Sequence, residues 1–207
     1  SRKAIFGYKG IVISSMAIAV AGSLVWAHHM YTSGMSDVSV FVFSLLTYLV
    51  AIPTAVKVFS WVSTMYKGSI LMTPPLFMAL IFIYLFTVGG LTGLVLGAAG
   101  TDIHVHDTTF VVAHFHFTMF GGTGFAFFAG LHYWWPKMFG IMYDFKKAYI
   151  GSVLVTAGFI FHYIPMFILG MQGMPRRYYD YLPHFETGNF LAGFGGILMV
   201  IGIMLMF

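Results

Sequence analysis

TDIHVHDTTFVVAHFHF, Thr101 to Phe117, holds four of the chain's nine histidines and two of its six acidic residues, and runs unbroken into apolar sequence that reaches Trp135. Metal-ligating side chains enter a membrane-length segment here. If the chain is helical from about Thr108, each residue turns by about 100°, so His114 and His116 project to nearly opposite sides. One helix can then offer an imidazole to each of two flat cofactors standing on either side of it. His106 and Asp107 come about two turns earlier, roughly 12 Å along the axis, where the helix is expected to meet water. The spacing thus predicts a deep pair of ligands and a shallow pair.

Of the 207 residues, 59% are hydrophobic and 8% charged, and the mean hydropathy is +0.89. Soluble domains carry about a quarter charged residues, so this composition reads as a polytopic integral membrane protein. There is no cysteine, which excludes thiolate metal sites and disulfides and leaves His, carboxylate and Met as ligands. A soft-metal centre built on cysteines would belong to a partner. The net charge is +4, but the basic residues stand singly between apolar spans and form no stripe, so no nucleic-acid partner is expected. The chain starts at Ser1 without an initiator Met and stops inside the apolar run LAGFGGILMVIGIMLMF. It is expected to be a fragment of a longer polypeptide or one piece of a split one.

Six runs can cross a hydrocarbon core of about 30 Å: Gly10 to His29, Val38 to Met65, Thr73 to Ala99, Thr108 to Trp135, Ala148 to Met171 and Gly188 to Phe207. In lipid they must be helices, because each segment has to satisfy its own backbone groups. The fold class expected is an all-α, polytopic transmembrane helical bundle, one domain over residues 1–207. Arg2, Lys3, Lys9, Lys67, Lys137, Lys146 and Lys147 fall on one side of these spans with Asp144. The positive-inside rule makes that side cytoplasmic or its organellar equivalent. Asp37, Asp102, Asp107, Asp180 and Glu186 fall on the other, with the adjacent pair Arg176 and Arg177.

His28 and His29, in VWAHHM, close the first span on the acidic side. Adjacent helical residues point about 100° apart, so both can bind one ion only if the helix ends or loosens there. Two imidazoles without thiolate suit copper, zinc or iron, or else an interfacial pair bonded to water and headgroups. In AIPTAVKVFSW, Thr54 and Lys57 lie one turn apart on one face, and Pro53 can kink the helix. A lysine at the bilayer centre costs about 2.5–3.5 kcal/mol, so Lys57 either serves a proton path or snorkels to the near interface. Gly93 and Gly97 have a packing spacing. Arg176 and Arg177 suit an anionic ligand, or a salt bridge to Asp180 or lipid phosphate.

VWAHHM, IPTAVKVFSW, FTVGGLTG, DIHVHDTTFVVAHFHF and GMPRRYYDY, in this order, resemble the back half of the catalytic subunit of haem–copper terminal oxidases. The resemblance runs from Ser1 to about Tyr181 and continues weakly beyond; it implies the last six of twelve spans. It implies that His28 and His29 are two of three histidines on the active-site copper. His114 would be the axial ligand of the high-spin haem, His116 an axial ligand of the low-spin haem, and Phe115 would lie between the two haems. His106 and Asp107 look like the family's magnesium or manganese ligands. Asp102, Arg176 and Arg177 look like partners of haem propionates, and Thr54 and Lys57 like its lysine-named proton path. His104 lies outside the pattern, and His132, His162 and His184 read as structural or interfacial.

The function so implied is reduction of dioxygen to water with electrons from cytochrome c, coupled to proton translocation. The cofactors implied are two haems of a-type, one copper ion, and magnesium or manganese. Implied partners are the remaining half of the catalytic subunit, a copper-bearing second subunit with other oxidase subunits, cytochrome c and membrane lipid. The membrane would be a bacterial plasma membrane or mitochondrial inner membrane. A quinol oxidase of the same family is the near alternative. A non-catalytic bis-histidine cytochrome would explain His114 and His116 but leave His28 and His29 idle, and a proton channel or transporter would leave the histidines idle.

Overall fold

The computed structural model describes residues 4–207; Arg2 and Lys3, counted in the charge bias, lie outside the described residues. Those residues form α1 (Tyr8–Gly22), α2 (Asp37–Leu49), α3 (Ala51–Met65), α4 (Pro74–Gly97), α5 (Ala99–Val105), α6 (Thr109–Thr118), α7 (Phe125–Phe139), α8 (Phe145–Met171) and α9 (Glu186–Met206). Short 3-10 turns cover Trp26–Met30 and Pro183–Phe185, and a π-helical segment, Met119–Gly124, joins α6 to α7. Six spans are long and apolar enough to cross a membrane: Tyr8–Met30, Asp37–Met65, Pro74–Gly97, Thr109–Phe139, Phe145–Met171 and Pro183–Met206. The fold is an all-α integral membrane bundle.

Local chemistry sets the breaks. Pro53 has no N–H for the carbonyl of Leu49, and the helix of the second span is interrupted at Val50 between α2 and α3. The helix carrying His114 and His116 begins at Thr109, close to the expected Thr108, but His106 and Asp107 lie in a break before it and not on its helical continuation. α5 ends at Val105, His106 is extended in ψ at 134°, and Asp107 takes φ 53°. Thr108 then caps α6, its hydroxyl accepting the Phe110 N–H. A rise of about 1.5 Å per residue therefore does not apply across the turn. After His116, the glycine-rich MFGGTG opens the ladder to π spacing.

The chain divides into two compact units: the described residues up to Ile70 with Gly90–His106, and Leu71–Gly89 with Asp107–Phe207. In the first, α1 lies against α3, with the Phe6 N–H donating to Thr64 Oγ1 at 2.9 Å. The Tyr31 hydroxyl donates to the Gly97 carbonyl at 3.1 Å and accepts from Ser44 at 3.1 Å. Gly97 also faces Thr47, whose methyl would lie 3.1 Å from an added Cβ. That is the packing role its spacing suggested.

In the second unit, α8 and α9 run antiparallel through a seam of Gly151 and Gly158 on α8 and Gly195 and Gly202 on α9. A Cβ on Gly158 would sit 2.6 Å from Met199 N and 2.7 Å from Gly195 O. Backbone cannot swing aside as a side chain can, so Gly158→Leu should destabilise this pair by about 1–3 kcal/mol or more. Thermal melting of the purified protein should show the loss, while Gly193→Ala, with nothing within 4 Å, should melt close to wild type. Asp144 caps α8 by accepting the N–H groups of Lys146 and Lys147 at 2.9 and 3.0 Å. The bond from Lys147 above all holds this carboxyl below its usual range, so the cap persists at neutral pH and is lost only as pH falls through the depressed value.

Candidate redox-metal site

In the first unit α1 has ended at Gly22, and His28 and His29 sit in the 3-10 turn that follows. Their Nε2 atoms converge to 3.0 Å. Two imidazole nitrogens each about 2.0 Å from one ion, at an angle of about 95°, would be separated by just this distance. Thr47 donates its hydroxyl to the Phe43 carbonyl at 2.6 Å, so its oxygen accepts from His28 Nδ1 at 3.2 Å. That bond places the proton on Nδ1 and turns Nε2 toward its neighbour as a lone pair, the usual second contact of a metal-binding histidine.

The same unit pairs His106 Nδ1 with Asp102 Oδ2 at 2.7 Å, with Asp102 buried at 4% exposure. A carboxylate behind Nδ1 again directs Nε2 outward as a ligand. On α3, the Thr54 hydroxyl donates to Val50 O at 2.8 Å. Lys57, half-buried, extends toward the C-terminal end of α3, its Nζ 5.6 Å from the Trp61 ring centroid.

In the second unit, α6 is helical through both His114 and His116, which are separated by about 200° around its axis. The opposite-face geometry holds. His116 Nδ1 donates to Val112 O at 2.8 Å, leaving Nε2 to ligate, while Phe115 lies against it with ring centroids 4.4 Å apart. From α8, the Tyr163 ring stacks on His116 at 4.5 Å and 20°.

Arg176 meets Asp107, with Nε and Nη2 lying 2.7 and 2.5 Å from Oδ1. The Arg176 N–H donates to Asp107 O at 2.9 Å, the Thr109 N–H to Met174 O at 3.0 Å and the Thr109 hydroxyl to Met166 O at 3.0 Å. The partner of Arg176 is thus Asp107, not Asp180, and the clip accounts for the left-handed backbone of Asp107. Arg177 is exposed, also with positive φ, 68°. A cavity of about 850 Å³ is lined by Arg176, Arg177, Tyr181, Thr109, Val112 and Met166 among others. It joins the guanidinium end to Val112, one turn before His116 on the same face. The donor set and cavity fit a flat, anionic, iron-bearing cofactor.

His132 and His162 serve packing. His132 is buried at 1% exposure, its Nδ1 bonded to Phe128 O at 2.9 Å, and His162 Nδ1 donates across to Ala192 O at 2.5 Å. His104 and His184 are exposed. Sequence spacing did not reveal Tyr163 or Thr47, which approach their histidines from other helices. The seven-residue spacings Gly151–Gly158 and Gly195–Gly202 were a readable sign of the α8–α9 seam.

Six apolar spans and imidazoles prepared as metal ligands define an integral membrane protein of redox-cofactor type. The profile described as Cytochrome C and Quinol oxidase polypeptide I matches residues 1–203. The chain belongs to that family, the catalytic subunits of haem–copper oxidases, which implies haem and copper as cofactors. It is 45% identical over 201 residues to cytochrome c oxidase subunit 1 of Bacillus sp. (strain PS3), covering 96% of this chain and 33% of that protein. To quinol oxidase subunit 1 of Bacillus subtilis (strain 168) it is 43% identical over 208 residues, covering 100% of this chain and 32% of that protein. The chain thus spans about a third of the length of these relatives. A solved structure of a haem–copper terminal oxidase dimer shares the fold with TM-score 0.78 at 24% identity, over 88% of this chain and 38% of that one.

Proposed function

We propose that residues 1–207 are a single transmembrane domain, the back half of the catalytic subunit of a proton-translocating cytochrome c oxidase. The convergence of His28 and His29 Nε2 to 3.0 Å carries the reading, because a purely electron-transferring bis-histidine cytochrome has no use for it. When bound, two a-type haems and one copper ion supply electron transfer and the reduction of dioxygen to water. His28 and His29 hold the copper. His114 and His116 hold the high-spin and low-spin haems on opposite faces of α6, with Phe115 between them. Arg176 and Arg177 neutralise propionates at the cavity mouth, and Asp102, which orients His106, is assigned to a propionate by the family resemblance alone. His106 and Asp107 hold magnesium or manganese. Lys57 accepts protons at the basic side and passes them up past Thr54.

The partners proposed are the rest of the catalytic subunit, a copper-bearing second subunit with other oxidase subunits, cytochrome c and lipid, in a bacterial plasma or mitochondrial inner membrane. Quinol is the second donor to weigh, because a quinol oxidase subunit is 43% identical. Stopped-flow reduction of the intact complex by cytochrome c and by quinol separates them: fast reduction by cytochrome c supports the proposal, and reduction by quinol alone overturns it.

Arg176→Gln removes a positive charge that favours the reduced form of a nearby haem. Its midpoint potential should fall by tens of millivolts, where about 59 mV is a tenfold change for one electron, with haem content retained. Spectroelectrochemical titration checks this, and an unchanged midpoint would leave Arg176 a structural partner of Asp107 only.

A further inference from the structure

We propose that Tyr163 is a positioning residue for the His116 imidazole, its ring fixing the plane in which that imidazole presents Nε2. The inference rests on the reading of His116 as an axial haem ligand. The bond from Nδ1 to Val112 O, at 2.8 Å, anchors one edge of the imidazole but leaves rocking about that bond open. The nearly parallel Tyr163 ring, 4.5 Å away at 20°, closes that freedom from one face, and Phe115 packs beside the imidazole at 4.4 Å and 31°.

Tyr163 is itself immobilised. It is 7% exposed and wedged by Phe159 at 4.6 Å and His162 at 4.4 Å. His162 is tied to α9 through Ala192 O, beside the glycine seam that sets the position of α8. An unbroken chain of contacts thus runs from α9 through α8 to the imidazole plane. The azimuth of an axial imidazole governs how its π orbitals meet the metal d orbitals, so a contact that sets ring orientation tunes the metal without touching it.

The test is electron paramagnetic resonance of the ferric low-spin haem in the intact oxidase complex. Tyr163→Phe keeps the stacked ring and should leave the g-values and midpoint potential as in wild type. Tyr163→Leu, and Tyr163→Met as the variant of better-matched volume, remove the flat face and should shift or broaden the largest g-value with haem content complete. Phe167→Leu truncates an aromatic in the same α6–α8 contact, against Phe110 and Phe117 but not His116, and should leave the g-values in place. Wild-type g-values and linewidth in whichever of the Leu and Met variants assembles overturn the inference, as does an equal shift in Phe167→Leu. If neither assembles, a changed g-value in Tyr163→Phe, which keeps the stack, overturns it and an unchanged one supports it. His116→Ala separates the two levels: retention of the low-spin haem overturns the ligand reading, whereas its loss beside unchanged Tyr163 variants overturns only the positioning role.

Discussion

Replacing His29 by alanine should abolish oxygen reduction and remove copper from the complex, with both haem signals retained. Among the described residues, His28 and His29 bring two nitrogens to the proposed copper position, 3.0 Å apart, and deleting one halves that pair's contribution. Losing even an outer partner of a metal-bound histidine typically weakens metal binding by about 10–100-fold. Loss of a direct ligand should exceed that. Thr47→Val supplies the graded comparison, since it removes only the oxygen that accepts from His28 Nδ1. Its copper affinity should fall within that 10–100-fold range. Copper stoichiometry by atomic emission, measured beside haem content, reads both. Full copper in the His29→Ala variant would place the ion elsewhere.

Lys57→Met should stall reduction of the haem–copper centre with both haems in place. Lys57 is the one charged residue in α3, half-buried, with its ammonium lying over Trp61 toward the basic end and Thr54 one turn away in the opposite direction. A group so placed can take a proton at one end of its reach and release it at the other. Lys57→Arg separates charge from proton transfer, because a guanidinium keeps its proton in proteins. Arginine should therefore be nearly as slow as methionine, although it preserves the positive charge. Anaerobic stopped-flow reduction measures this, and normal rates in Lys57→Met would leave the lysine a snorkelling residue.

The spans were legible because lipid allows the chain so few alternatives. Val38 to Met65 was read where Asp37–Met65 is found, and Gly10 to His29 where Tyr8–Met30 is found. The opposite faces of His114 and His116 follow from helical rotation alone, and the need for α1 to end before His28 follows from the same geometry. What could not be read depends on residues far apart in the chain. The turn at His106 and Asp107 needs a positive φ that Arg176, 69 positions later, clips in place. A helical ruler laid through His106 could not register that. Tyr163 reaches His116 from α8 and Thr47 reaches His28 from α2, contacts that no spacing within one helix encodes. The π segment had a visible cause, three glycines within MFGGTG, but glycine content equally suits close packing, which Gly121 also makes against Leu85.

The central claim is that α6 carries two different haems, one closed by ligands and one open to dioxygen. A reduced-minus-oxidised visible spectrum of the native complex, with and without carbon monoxide, tests it most directly. Two haem signals are predicted, only one of which shifts with carbon monoxide. A single haem population unaffected by carbon monoxide, or no haem at all, would contradict the account.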